Sequence, residues 1–267
     1  MVDPHRSSSL PRAVPVNELL TRASLLEHLE ERVAAVPWLL AAWEGGSAAF
    51  GRADDLSDID LVLVAPSERV EEAFALVESA LEARSRISDR WRLPEPTWHG
   101  HAQVFYRLEG ASPDTVVDLL VAREGAKGLF LEPERHGAAR FLFDRAGIER
   151  PLPLEPGSTA AENRERAASI RARHRVLGNL PGKELRRGRT IDALAFYQSI
   201  TLRHLVELLR IRHDPFRAAF GLRYLGHDLP GAVRRRLEPL IFVGSATELA
   251  ERLAGADAWI EELLAGG

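Results

Sequence analysis

Two aspartates placed two residues apart, Asp58 and Asp60, open the apolar run Leu61-Val62-Leu63-Val64. Alternate residues of an extended strand share a face, so both carboxylates point to one place while Ile59, Leu61 and Leu63 take the other face. Like charges that close need a counterion. Carboxylate oxygens are hard ligands and suit Mg²⁺, which keeps part of its water shell and shares the rest with phosphate oxygens. A third carboxylate, Asp118, interrupts the apolar segment from Thr115 to Ala122, where an unpaired charge would cost on the order of several kcal/mol. If that strand lies beside the Asp58 strand, the three aspartates form a cluster able to hold two metal ions, an arrangement that serves phosphoryl transfer.

Upstream of the pair stands the turn Gly45-Gly46-Ser47, followed by the short segment from Ala48 to Arg52 that can wind as a helix. Glycines let a backbone approach phosphate oxygens closely, and amide N–H groups at a helix start attract anions. Ser47 adds a hydroxyl donor, Arg52 a charge suited to a β- or γ-phosphate, and Ser57 a hydroxyl immediately before Asp58. A glycine-serine turn alone is weak evidence. A glycine-serine turn, then ten residues, then Asp-x-Asp at the head of an apolar strand is much more specific.

With Gly46, Ser47, Asp58 and Asp60 in that spacing, the sequence resembles the DNA polymerase β-like nucleotidyltransferase superfamily. The resemblance implies that Asp58 and Asp60 bind two Mg²⁺ ions holding a nucleoside triphosphate, with ATP the expected co-substrate. It also implies that Asp118 shares the metal nearest the acceptor and helps deprotonate its hydroxyl, while Gly46 and Ser47 bind the terminal phosphates. The motif covers about 20 residues, and the order of strands extends the likeness over roughly the first 125. Among its members, the aminoglycoside and lincosamide nucleotidyltransferases are the nearest in architecture. The implied acceptor is therefore a small hydroxylated molecule such as an aminoglycoside-like antibiotic. An RNA- or protein-modifying enzyme and a catalytically silent nucleotide-binding module are the competing readings. Retention of all three carboxylates argues against silence.

The elements that would position these residues are legible from periodicity. Leu19, Leu25, Leu26, Leu29 and Val33 recur at helical spacing within residues 18–36, and Pro37 ends that helix. Residues 38–43 and 61–65 read as buried strands, residues 68–84 as a helix, and the segments starting at His101 and Thr115 as two further strands. Helix, strand, strand, helix, strand, strand points to a mixed sheet with helices against it, so the expected fold is α+β. Beyond about residue 135 the periodic segments near 160–177, 190–213, 230–242 and 246–264 all read as helices. In the second of these, Ile191, Leu194, Leu202, Leu205 and Leu209 form the expected buried stripe. The expected division is a flexible leader over 1–17, a catalytic domain over 18–148, a linker over 149–158 and an all-helical domain over 159–267.

Composition bounds the rest. The chain has 267 residues, 45% hydrophobic and 28% charged, enough for a real core and incompatible with a disordered or collagen-like chain. It contains no cysteine, which excludes a disulfide scaffold, a thiolate metal site and a cysteine nucleophile. No apolar segment approaches the length of a membrane helix and the leader lacks the apolar centre of a signal peptide, so no membrane partner and a cytoplasmic location are expected. Residues 1–134 carry 13 Lys+Arg against 23 Asp+Glu, and residues 135–267 carry 22 against 16. An acidic half beside a basic half suits a ligand that joins metal ions to phosphates, although surface patterning gives the same split.

Several residues have plainer readings. The arginines between Arg164 and Arg189 stand among Glu162, Glu165 and Glu184 and read as a solvated face. The aromatics of a single-strand binder are missing there, so nucleic acid is not favoured as a partner. His99 and His101 alternate and would permit a zinc pair, but loop histidines are the commoner reading. Tyr197, Gln198 and Thr201 could line an acceptor pocket or form a buried polar network, and Asp54 and Asp55 read as turn residues. Glu184 and Glu207 are alternatives to Asp118 as the general base.

Overall fold

The structure, a computed structural model, describes residues 20–150 and 153–266. The expected leader and Leu19 lie outside the described residues. The chain divides into two compact units, Met1–Pro153 and Leu154–Gly267.

The first unit holds a six-stranded mixed sheet. Its elements run α1 (Arg22–Ala34), β1 (Ala41–Glu44), α2 (Gly46–Ala49), β2 (Ile59–Ala65), α3 (Val70–Glu82), β3 (Ile87–Arg92), β4 (Ala102–Leu108), β5 (Val117–Arg123), α4 (Pro133–His136) and β6 (Arg140–Asp144). The strand order is β3-β4-β5-β2-β1-β6. Only β2 and β5 pair in parallel, and their register sets Asp60 directly opposite Asp118. All other neighbours are antiparallel.

One face of the sheet packs Ile59, Leu61, Leu63, Val117, Leu119 and Val121 against the apolar stripes of α1 and α3, including Leu25, Leu29, Phe74 and Val77. The other face buries Val62, Val64 and Leu120 with Trp43 and Leu131. Burial on both faces explains why β2 reads as a continuous apolar run rather than an alternating one. The aspartates stand where the cover on the second face stops: Asp60 is half-buried at the head of β2 and Asp58, one residue before the strand, is exposed.

Helix α1 starts later than the expected residue 18, because the Thr21 hydroxyl accepts the Ser24 N–H and caps the helix there. Two strands were not expected. β3, Ile-Ser-Asp-Arg-Trp-Arg, is an exposed edge strand whose charges protect an open sheet margin, so it carries no apolar alternation. β6 is five residues long and half-buried, too short to register as a pattern.

The second unit is all helical: α5 (Pro156–Leu177), α6 (Leu180–Arg186), α7 (Thr190–Phe196), a π-helical stretch over Tyr197–Leu202, α8 (Arg203–His213), α9 (Leu225–Asp228), α10 (Gly231–Ile241) and α11 (Ala246–Ala265). Helix α5 begins with Pro156 in its first turn, so the last residues of the expected linker are already helical. Its core gathers Ile170, Tyr197, Leu205, Leu209, Leu249 and Trp259. Ile191 departs from the expected stripe and is 86% exposed. The helical phase that buries Leu205 and Leu209 is reset by the π-helical turns, which add a residue per turn and rotate the preceding segment away.

No described helix is long and apolar enough to cross a membrane.

Candidate active site

Strand β1 ends at Glu44, and the chain turns through Gly45-Gly46 into α2. The Gly45 N–H donates to the Asp60 backbone carbonyl at 2.9 Å, which clamps the turn to the head of β2. Gly46 has φ of +53°, and a Cβ there would stand 1.8 Å from Asp60 Oδ2. Glycine is required twice, once by the left-handed backbone and once by the carboxylate that fills the space a side chain would take. The Ser47 backbone N–H faces the Asp60 carboxyl and favours its ionised form. The Ser47 hydroxyl is buried and has no partner. A buried hydroxyl without a partner calls for one, and a ligand oxygen would supply it.

Asp58 Oδ1 accepts the Val116 N–H at 3.1 Å, tying the end of β2 to the entry of β5. Asp118 Oδ1 accepts from Gln103 Nε2 at 2.6 Å. Each carboxylate keeps its second oxygen for another partner. Burial, with Asp58 and Glu44 nearby, pushes the Asp60 carboxyl up to about 6, against the pull of Arg22 and the Ser47 N–H. Burial, with Asp60 and Asp58 adding to it, pushes Asp118 up to about 7 despite the Gln103 hydrogen bond. Both carboxyls thus take up a proton more readily than an ordinary aspartate, chiefly because burial disfavours their charged form.

No group of three His, Cys, Asp or Glu side chains among the described residues forms a ready-made metal cage. The donor set nonetheless suits Mg²⁺, because carboxylate oxygens side by side, each with one oxygen uncommitted, match an ion that completes its shell with water and phosphate. The unpartnered Ser47 hydroxyl gives the phosphate side of such a ligand a donor.

The remaining expected residues are less closely engaged. The Arg52 guanidinium is exposed and stands 5.1 Å from the Phe50 ring centroid. The Ser57 hydroxyl donates to Asp54 Oδ1 at 2.7 Å, so it stabilises the turn before β2. Asp54, which also accepts the Leu56 N–H, is the turn residue its type suggests. His99 and His101 do not form a zinc pair; the rings bond to Gln103 and to the Gly128 carbonyl. In the helical unit Glu184 pairs with Arg187 and Arg189, and Glu207 with Arg166. Tyr197 is buried and donates its hydroxyl to the Leu240 carbonyl, and Gln198 is exposed.

Sequence reasoning passed over Glu44 and Gln103. Glu44 is 2% exposed and paired with both Arg22 and Arg140. A charged residue closing an apolar strand just before the Gly-Gly-Ser turn was the available signal. Arg22 also donates to the Asp58 carbonyl at 3.3 Å, so one guanidinium ties α1, β1 and the Asp-x-Asp segment together.

No family model and no curated protein matches the chain. Among solved structures it is similar to an aminoglycoside 6-adenyltransferase from Bacillus subtilis, at 11% identity over 92% of this chain and 89% of that one, with a TM-score of 0.38. It is also similar to a spectinomycin adenyltransferase from Enterococcus faecialis with ATP and spectinomycin, at 11% identity over 91% and 97% of the two chains and a TM-score of 0.35. A nucleotidyltransferase-like protein from Exiguobacterium sibiricum is similar at 12% identity over 89% and 74% of the two chains, with a TM-score of 0.38. At such identities and scores the chemistry has to be read from the chain's own side chains. Those of the Gly46-Ser47 turn, the Asp58-x-Asp60 strand head and the adjacent Asp118 are similar in kind and spacing to those of the polymerase β-like nucleotidyltransferases.

Proposed function

We propose that the protein transfers a nucleotidyl group, AMP from ATP in the first instance, to a hydroxyl of a small acceptor and releases pyrophosphate. The observation that carries the reading is the register of β2 and β5, which sets Asp60 opposite Asp118 with Asp58 at the same strand head, beside a glycine-serine turn whose hydroxyl is unpartnered. Asp58, Asp60 and Asp118 are the residues that would hold Mg²⁺, which when bound supplies positive charge against the triphosphate and the departing pyrophosphate.

At the Gly46-Ser47 turn the Ser47 hydroxyl binds a terminal phosphate oxygen and orients the triphosphate. Arg52 and Ser57 belong to the same end of the site, where Arg52 reaches a phosphate oxygen through its exposed, long side chain. Asp118 is the proton acceptor. Its uncommitted oxygen takes the proton of the acceptor hydroxyl as that oxygen attacks the α-phosphorus, and the bond to the pyrophosphate oxygen breaks. Positioning of acceptor and triphosphate supplies much of the remaining acceleration.

The test is pyrophosphate release from ATP and Mg²⁺ with a panel of hydroxylated acceptors that includes aminoglycosides and spectinomycin. Acceptor-dependent release in the wild type, reduced at least about a hundredfold in Asp118→Asn, is the expected result. Release that Asp118→Asn leaves unchanged removes Asp118 from the proton-transfer role.

A further inference from the structure

His99 is a loop residue that the nucleotidyl-transfer reading does not use, yet its ring is held on several sides. Trp98 and Phe130 meet it edge-on, with ring centroids at 5.0 and 6.0 Å, and the His101 ring stacks beside it at 5.6 Å. Phe130 takes a positive φ of 59°, a conformation that a bulky residue adopts only when its surroundings enforce it.

The hydrogen bonds around that ring admit only one assignment of protons. The His101 backbone N–H can only donate, and it points at His99 Nδ1 from 3.2 Å, so that nitrogen is the bare acceptor and the neutral ring carries its proton on Nε2. That N–H needs an acceptor, and Gln103 Oε1 stands 3.0 Å away. The Gln103 amide therefore turns its Nε2 to Asp118 Oδ1, at 2.6 Å. Thr97 Oγ1, 3.4 Å from Nδ1, spends its own proton on the His101 carbonyl at 2.6 Å and offers nothing that would change the assignment. His99 is thereby the neutral Nε2–H tautomer, in keeping with burial that lowers its affinity for a second proton.

We infer that His99 and Gln103 are positioning residues for Asp118: a one-way chain of donors runs from the His101 N–H through the His99 ring and the Gln103 amide to Asp118 Oδ1. Each link fixes the next, and hydrogen bonds in series polarise one another. The chain occupies Oδ1 and so presents the other oxygen, Oδ2, to the ligand. Gln103 reaches Asp118 because β4 pairs with β5 with Phe105 opposite Asp118, which puts Gln103 on the same face of the sheet, two residues along. The inference rests on the proposed function for what Oδ2 does, but the chain itself is a property of the protein without any ligand.

The experiment has one readout for each part. In the wild type, ¹⁵N NMR of the histidine rings should show His99 protonated at Nε2 and bare at Nδ1. The Nε2 proton should lose its protection from exchange in Gln103→Leu and also in Asp118→Leu, where the amide is no longer anchored and can turn over. A His99 protonated at Nδ1, or an Nε2 proton indifferent to Asp118→Leu, overturns the chain. For the second readout, Mn²⁺ is titrated calorimetrically into wild type, His99→Ala, Gln103→Leu and the double variant, each checked for fold. Loss of a partner behind a metal-binding group costs about tenfold or more in affinity. Each single variant should show that loss, the double variant no more than either, and His99→Gln, which keeps an amide donor, should recover part of it. Single variants that bind Mn²⁺ as the wild type does overturn the positioning role even if the tautomer is as described. A wild type that binds no Mn²⁺ counts against the proposed function, and the NMR comparison then still decides whether the chain exists.

Discussion

Asp60 and Asp118 hold protons at pH values where ordinary aspartates are ionised, because they are buried beside other carboxylates. Their folded-state values of about 6 and about 7 lie above the value of 3.8 for a free aspartate. The folded chain therefore binds protons that the unfolded chain has released across that window, and the stability these groups contribute is present at low pH and lost as pH rises through 6 and 7. On the proposed function, Mg²⁺ competes with the same protons. The melting temperature of the first unit without divalent ions should fall between about pH 4 and pH 7, and the increment given by Mg²⁺ should grow over the same range; an increment independent of pH would contradict the account. Gly46 makes a second prediction of the same grain. Gly46→Ala places a Cβ against Asp60 Oδ2 in a left-handed backbone, so ATP binding should disappear and thermal unfolding should shift down by an amount corresponding to about 1–3 kcal/mol. Full ATP affinity in that variant would show that the turn is not part of the site.

At the scale of elements, the buried Glu44 carboxylate joins α1, β1 and β6 through Arg22 and Arg140. Arg22→Met leaves a buried charge with half of its compensation, at a cost of about 3–5 kcal/mol in urea unfolding, and the double change Arg22→Met, Glu44→Leu should recover much of it. If the single variant is as stable as the wild type, Arg22 is not what offsets Glu44. These links also explain which parts of the fold were legible in the sequence. Apolar runs and helical spacing locate β2, β4, β5, α1 and α3, because burial writes itself into residue type. The glycine-serine turn and Asp-x-Asp were legible for the same reason, since backbone conformation and charge leave few residue types permissible. β3 and β6 were not, since an edge strand and a short strand carry little apolar pattern. Gln103 was hidden because an amide on the open face of a sheet looks like any solvated residue until its neighbour across the register, near Asp118, is known. Ile191 was misplaced because a π-helical stretch changes the phase of a helix without any signal in composition.

At the scale of the molecule, the two units have separate cores. The helical unit has its own buried ion cluster, in which the fully buried Arg210 donates to Asp228 at 2.9 Å and to the Gly221 carbonyl at 2.8 Å. Removing one partner of a buried pair costs about 3–5 kcal/mol. Arg210→Met should therefore lower one calorimetric transition, that of residues 154–267, and leave the Mg²⁺-sensitive transition of the sheet unit in place. A single transition that moves as a whole would mean that the units unfold together.

The most direct measurement is calorimetric titration of ATP with Mg²⁺ into the wild type and into an Asp58→Asn, Asp60→Asn variant, with the fold of both checked. The account predicts Mg²⁺-dependent binding to the wild type that is lost in the folded variant. Equal binding by the two proteins, or binding that needs no divalent ion, would contradict the assignment of Asp58 and Asp60 as the residues that hold the metal and the triphosphate.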